Sequence, residues 1–168
     1  MPDEDAATAT ATRVAPGEGK PLWFLTELYT TKLTSEHTGG AFTLVEVTGT
    51  PQAPPVPHMH HNEDETYYVL EGEWEFLSDG RTFTAGPGSV VSLPKHRLHS
   101  HRNPGDGPAK ALVLYTPGGV EKFVEEAGRP GAQPSSLPPP VEEEDIQRVV
   151  GVAGKYGFEA PPPPSAPE

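Results

Sequence analysis

The sequence predicts an all-β domain, built as an antiparallel sandwich or barrel. Short runs rich in β-branched and aromatic residues recur at intervals near ten residues, and glycine, proline or aspartate interrupts the chain between them. The chain holds 22 prolines and 18 glycines in 168 residues. Such a turn-rich composition is what many short, hairpin-connected strands require.

The individual strands follow from these runs. Residues 21–29 (PLWFLTELY) are apolar and aromatic and are interpreted as a strand or an anchoring segment. The stronger runs that follow are 42–47, 66–70, 74–77, 81–84, 89–93 and 109–115. Ser78-Asp79-Gly80 predicts a tight hairpin turn between two of them.

Alternation along these strands predicts which side chains point inward. The inward set is expected to be Phe42, Leu44, Glu46, Tyr67, Val69, Trp74, Phe76, Val91, Leu93, Leu112 and Leu114. Most of these would form the core, and a minority would line a pocket suited to a flat apolar substrate. Glu46 is the one charged member, and it either points outward or gives the pocket a polar group.

The apolar pattern changes to a helical period after the last strand. Val120–Ala127 is predicted to be a short helix with Gly128 as its cap. Residues 142–156 repeat apolar side chains on one helical face, after an acidic start that complements a helix N-terminus. We therefore expect a mobile arm over 1–20, the β-domain over 21–128, and a proline-rich linker, short helix and extended tail over 129–168.

Composition excludes several classes of partner and site. The net charge is −12 and no segment concentrates lysine or arginine, so neither nucleic acid nor an anionic membrane is an expected partner. The absence of cysteine excludes disulfides, thiolate metal sites and cysteine nucleophiles. The sequence shows no secretory signal and no run long enough to span a bilayer, so we expect a cytoplasmic protein.

Histidines are concentrated in one part of the chain. Six of the seven lie between His58 and His101. On a strand, His58 and His60 point to the same face and can converge on one cation at about 2.1 Å. Glu65 follows five residues later, and His99 follows a separate strand. Three histidines and one carboxylate would leave coordination positions open, as in catalytic metal sites.

The other polar residues near this cluster receive less specific interpretations. Three consecutive acidic side chains cannot all point inward, so Glu63 and Asp64 are expected to face water, with Glu63 a minor rival to Glu65. His61 is expected to be exposed or to lie beside the ligands. His101 and Arg97 either share the face of His99 or lie at the rim. His37 is predicted to be a solvated turn residue.

The same residues resemble the two motifs of the cupin superfamily. The first motif is matched by His58-x-His60-x4-Glu65-x6-Gly72, and the second by Gly88-x5-Pro94-x-His96-x2-His99-x3-Asn103. Two positions where the family usually has glycine differ here, namely Gln52 and His96. A left-handed backbone at His96 would suit histidine better than most residues; alternatively its side chain turns to solvent or to the rim.

The resemblance covers roughly residues 22–128 and implies a cupin-type antiparallel β-barrel (jelly roll) followed by short C-terminal helices. It implies a divalent transition metal, one of Fe, Mn, Ni, Co, Cu or Zn, held by His58, His60, Glu65 and His99. The aromatic segment at 21–29 and the helix after the barrel further resemble quercetin 2,3-dioxygenase-like proteins. In those proteins the ligand carboxylate also serves as a base, a catalytic role that falls here on Glu65.

Three functions fit this resemblance. The first is a dioxygenase that uses O2 on an enolic or phenolic aromatic substrate, flavonol-like or polyketide-like. The second is a metal-dependent cyclase, isomerase or dehydratase without redox chemistry, and the third is a small-ligand-binding cupin without catalysis. The sequence contains no helix-turn-helix pattern, which argues against a transcription regulator. A homodimer is expected, through Leu22–Tyr29 or the helix near 146–153, although both elements can instead fold onto their own barrel.

Overall fold

Strands dominate the part of the chain that the computed structural model describes, which is residues 9–131 and 138–161. The strands are β1 (Lys20–Phe24), β2 (Glu27–Leu33), β3 (Thr43–Gly49), β4 (Met59–His60), β5 (Asp64–Glu71), β6 (Trp74–Ser78), β7 (Arg81–Ala85), β8 (Val90–Leu93), β9 (His99–Arg102), β10 (Ala109–Thr116), β11 (Arg129–Pro130) and β12 (Phe158–Glu159). The helices are α1 (Val120–Ala127) and α2 (Glu143–Ala153), and a 3₁₀ turn covers Gly154–Tyr156.

The strands form two facing sheets and a short additional pair. The larger sheet has the order β11-β1-β2-β3-β10-β5-β8, the smaller has the order β7-β6-β9, and β12 pairs with β4. The named strands pair antiparallel throughout. The predicted all-β jelly-roll class is confirmed, although the sheets do not close into a continuous barrel.

The core lies between these sheets and is aromatic. Tyr67 of β5 lies 5.8 Å from Trp74 and 5.1 Å from Phe76 of β6, measured between ring centroids. All six inward residues predicted on β5, β6 and β8 are buried: Tyr67, Val69, Trp74, Phe76, Val91 and Leu93. On these three strands the alternation of the sequence indicates the inward face correctly.

On β3 and β10 the predicted inward face is wrong. Val45 and Val47 are fully buried while Leu44 and Glu46 are half-buried, and Val113 is buried between the half-buried Leu112 and Leu114. Both strands are central in the larger sheet and carry apolar residues on both faces, so hydrophobicity does not fix the phase. Phe42 precedes β3 and is half-buried, and Glu46 points away from the core.

The C-terminal helices cover one end of the sandwich. Both predicted helices are present, and the Gly128 N–H caps α1 through the Val124 carbonyl at 2.8 Å. Phe123 of α1 packs with Val149 of α2 and with Phe158 of β12 in a second apolar cluster. This packing brings β12 back onto β4, beside the histidine cluster.

Some sequence predictions fall partly outside the described residues. These are the arm over 1–8, the linker over 132–137 and the tail over 162–168. The segment proposed as a dimer contact packs on its own chain, with Leu22, Trp23, Leu28 and Tyr29 buried there. The homodimer stays a prediction. No helix in the described part of the chain is long and apolar enough to cross a membrane.

Candidate metal centre

Four side chains from three strands meet between the two sheets. His58 and His60 lie at β4, Glu65 lies on β5 of the larger sheet, and His99 begins β9 of the smaller sheet. All four residues are buried, with 1–5% of their surface exposed. One nitrogen or oxygen of each lies within 4.8 Å of the corresponding atoms of the others. The structure therefore brings together the four residues singled out in the sequence.

The three imidazoles are held in the same orientation from outside the cluster. His58 Nδ1 lies 2.8 Å from the Val56 carbonyl oxygen, and His99 Nδ1 lies 3.0 Å from that of Arg97. His60 Nδ1 lies 2.8 Å from Glu63 Oε1. Carbonyl and carboxylate oxygens only accept hydrogen bonds, so each Nδ1 carries the donated proton. In the neutral ring, each Nε2 then presents a lone pair to the interior.

These Nε2 atoms converge on one carboxylate oxygen. Glu65 Oε2 lies 3.0 Å from His99 Nε2, 3.6 Å from His60 Nε2 and 3.9 Å from His58 Nε2. Lone pairs directed at an anionic oxygen repel each other unless a proton or a cation lies between them. A first-row divalent ion binds imidazole nitrogen and carboxylate oxygen at about 2.0–2.2 Å. The donor set and its spacing fit such an ion.

Burial sets the charge state of the cluster. Burial lowers the pKa of His58 to about 4, so this ring is neutral at pH 7. Burial alone would raise the pKa of Glu65, but a proton held between its Oε2 and the His58 and His99 rings, together with the charges of His60 and His101, outweighs burial and holds that pKa well below its usual range. Tyr115 Oη donates to Glu65 Oε1 at 2.9 Å and orients the carboxylate. The centre thus combines one carboxylate with three imidazole nitrogens, a donor set suited to a divalent cation.

Glu63 corrects one sequence prediction. It was expected to face water, but it is buried and contacts His60. The chain turns at residues 61–62, which brings the side chain three residues after His60 back onto its ring. Burial lowers the pKa of His60, but the hydrogen bond to Glu63 and the charges of Glu65 and Glu63 together outweigh burial and raise that pKa overall. Asp64 points the other way and accepts the Lys95 N–H at 2.9 Å.

His101 lies on the same face as His99 and is buried. Its ring centroid is 5.8 Å from that of His58, and its Nε2 is 3.0 Å from Glu27 Oε2. Burial lowers the pKa of His101, but the charge of Glu27, the hydrogen bond to it and the charge of Glu65 together outweigh burial and raise that pKa overall. The two-residue spacing from His99 was the sequence signal for this position. Nothing in the sequence marked Glu27, and Arg97 is exposed beside Asp79.

The remaining histidines lie outside the cluster. His61 is exposed, with Nδ1 3.1 Å from His96 Nδ1 and Nε2 2.7 Å from Glu159 Oε2. His96 has the left-handed φ of 63° and Gln52 has a φ of 59°, so both departures from the glycine pattern keep a glycine-like backbone. His37 lies in an exposed turn, as predicted.

A small cavity adjoins the cluster. His58, His60, His101 and Glu27 contribute its polar surface, and its free volume is about 50 Å³. Its apolar wall includes Phe24, Tyr29, Val56, Tyr115, Phe123, Val124 and Phe158. The Phe158 ring stacks on His58 with 4.9 Å between centroids. Among the described residues that line the cavity there is no lysine or arginine.

Comparison with known proteins agrees with this architecture. Residues 44–115 match the cupin domain family, so this part of the chain is a cupin domain. It resembles quercetin 2,3-dioxygenase of Bacillus subtilis, with 30% identity over 114 residues. That alignment covers 68% of this chain but only 34% of the relative, so the chain spans about a third of that protein's length.

Solved structures share the fold. KdgF from Halomonas sp. superposes with a TM-score of 0.58 at 17% identity, covering 67% of this chain and 99% of that one. A predicted oxalate decarboxylase from Thermotoga maritima gives a TM-score of 0.56 at 22% identity, covering 62% and 98%. At these identities the two structures establish the cupin fold of this chain.

Proposed function

We propose that the protein is a metal-dependent dioxygenase of an enolic or phenolic aromatic substrate. In this proposal His58, His60, Glu65 and His99 hold the metal, and Glu65 also acts as the base. The observation that carries it is the convergence of three Nε2 lone pairs on Glu65 Oε2 beside an aromatic cavity. The similarity to quercetin 2,3-dioxygenase supports the same reaction class.

The chain's own residues supply binding, orientation and proton transfer. A bound divalent ion (Fe, Mn, Ni, Co, Cu or Zn) would supply Lewis acidity, and a redox-active one would also supply one-electron chemistry with O2. Glu65 is the carboxylate of the centre, and in this proposal its Oε2 accepts the proton of a substrate hydroxyl. Tyr115 keeps the other oxygen fixed. The surrounding aromatic wall excludes water from the deprotonated substrate.

The lining of the cavity supports a neutral, aromatic substrate. Recognition of a phosphate or carboxylate normally uses arginine or lysine, and the described lining contains neither. Ligand pockets for drug-sized molecules are typically about 300–1,000 Å³, far larger than the 50 Å³ found here. A flavonol therefore needs a wider cavity, and we propose that Phe158, which lines it and stacks on His58, moves outward.

The second candidate is a metal-dependent isomerase or cyclase without redox chemistry. Glu27 favours it, because this second carboxylate lies on the same cavity as the Glu65 centre. Such reactions remove a proton at one position and return it at another, which two separate groups can share. A non-catalytic ligand-binding role is the third outcome of the test below.

Oxygen consumption tests the proposal. The purified protein is stripped of metal, reconstituted separately with each of the six ions, and mixed with quercetin as the flavonol probe. We expect O2 uptake that needs both the flavonol and a redox-active ion. Product formed under strict anaerobiosis by a zinc-loaded sample would instead establish the non-redox class. Binding without product in both atmospheres would assign the protein to the non-catalytic class.

Glu63 should strengthen metal binding through His60. Replacing it in a Glu63→Gln variant removes the anionic acceptor that fixes the His60 ring. Loss of such an outer partner typically costs about 10–100-fold in metal affinity, and we expect a loss in this range. Competition with a chromophoric chelator measures it. Asp64→Asn is the matched control, because Asp64 accepts a backbone N–H instead; equal affinities for both variants would contradict the prediction.

A further inference from the structure

A second polar group faces the cavity beside the metal centre. Glu27 begins β2 and His101 lies on β9, and both line the cavity. Their side chains are 13% and 7% exposed, and Glu27 Oε2 lies 3.0 Å from His101 Nε2. Tyr67 Oη lies 3.1–3.2 Å from the two nitrogens of His101. We refer to Glu27 and His101 as the Glu27–His101 pair.

Packing alone does not account for Glu27. A carboxylate this well buried is costly unless its oxygens are engaged, and an apolar side chain would fit the neighbouring Phe24 and Phe123 wall without that cost. The hydrogen bonds of Glu27 are made by Oε2, which lies 3.0 Å from His101 Nε2 and accepts from Tyr29 Oη at 3.4 Å. Oε1 makes no hydrogen bond to any residue that the structure describes, so one strong acceptor on the cavity stays open to a ligand.

The Glu27–His101 pair lies beside the candidate metal centre, on the same cavity. The His101 ring lies 5.8 Å from the ring of His58. Both rings line the same cavity, so a ligand in that cavity faces the centre through His58 and the pair through His101. Since Glu27 only accepts hydrogen bonds, the group it recognises must be a donor. A second carboxylate or phosphate on the ligand would be repelled.

We propose that Glu27 Oε1 accepts a hydrogen bond from a hydroxyl of the substrate. The substrate would then be an aromatic ring with two oxygen substituents, one directed to the Glu65 centre and a free hydroxyl directed to Glu27. This inference rests on the proposed function for the use of the metal centre as the first anchor. It does not depend on dioxygen, because it concerns binding only.

Ligand binding without turnover tests this assignment. The zinc-loaded full chain is titrated under argon with two probes, catechol and 2-fluorophenol. Fluorine occupies about the place of the second hydroxyl but cannot donate a hydrogen bond. A hydrogen bond to a charged acceptor is worth about 1.5–3 kcal/mol, so we expect the native protein to bind catechol about 10–100-fold more tightly. Equal affinity for the two probes, or no binding of either, would overturn the proposal.

Substitution at Glu27 then identifies the acceptor. In Glu27→Ala the preference for catechol should fall to about one, and in the size-matched Glu27→Gln it should fall to a few-fold, with 2-fluorophenol affinity nearly unchanged. A general loosening of the fold would weaken both probes alike. Glu46→Gln, on β3 and pointing away from the core, should keep the native preference. A preference that survives in both Glu27 variants would overturn the assignment.

The outcome is distinguishable from failure of the proposed function. Zinc supports no electron transfer and the titration contains no O2, so a protein that never oxidises a flavonol can still discriminate the two phenols. Conversely, oxygen uptake with quercetin and no discrimination between the probes would retain the dioxygenase and reject the role of Glu27.

Discussion

Replacing His99 with alanine is expected to abolish stable loading of a divalent ion. His99 Nε2 approaches Glu65 Oε2 at 3.0 Å, the shortest of the three histidine contacts with that oxygen. Loss of an outer partner already costs about 10–100-fold in metal affinity, and loss of a direct ligand, the role proposed for His99, costs more. Elemental analysis after gel filtration through chelator should find the native protein near full occupancy and His99→Ala nearly empty. Metal-dependent turnover should disappear with the ion.

Two further variants separate ligation from folding. His99→Gln keeps most of the side-chain volume and should lose the ion in the same way, with an unchanged circular dichroism spectrum. His96→Ala removes an exposed histidine of the same motif, whose Nδ1 lies 3.1 Å from His61 Nδ1, and should retain the ion. Full occupancy in both His99 variants would mean that His99 is not a ligand.

Truncating Trp74 should produce the largest loss of stability. The residue is fully buried, and its ring lies 5.8 Å from those of Tyr67 and His101. A Cβ added at Gly49 would lie 2.8 Å from the Trp74 ring, so the indole fills the space that this glycine leaves. Large-to-small changes at such sites cost about 3–5 kcal/mol. Trp74→Ala should lower the free energy of unfolding by this amount in urea titrations.

The matched control is Trp74→Phe. The Trp74 Nε1 is buried without a hydrogen-bond partner among the described residues, so phenylalanine gives up volume but no hydrogen bond. We expect a loss less than half that of Trp74→Ala. Similar losses for the two variants would show that the cavity is not the cause. A stability of Trp74→Ala within about 1 kcal/mol of the native value would contradict the burial argument itself.

Local sequence patterns were sufficient to predict which four side chains lie together: His58, His60, Glu65 and His99. His58 and His60 share a face because side chains alternate along a strand. The spacing of the two motifs then indicated Glu65 and His99 as their partners. The same alternation failed for β3, where Leu44 and Val45 are both apolar and the phase depends on what packs on each face. Pattern reasoning works where only one face of a strand is buried.

Contacts made by turns and distant segments could not be predicted. Glu63 reaches His60 because of the backbone path through 61–62, which spacing does not encode. Phe158 stacks on His58 after a proline-rich stretch and a helix, and Glu27 meets His101 across 74 residues. Such pairings depend on the tertiary docking of elements, for which a single sequence has no periodic signal.

The pairing of β12 with β4 has a consequence for how the protein matures. Translation delivers all the side chains of the centre by His99, long before Phe158 leaves the ribosome. The chain thus contains every side chain of the cluster before the ring that covers His58 has been made. A chain shortened before Phe158 would keep the four side chains and lose the ring stacked on His58.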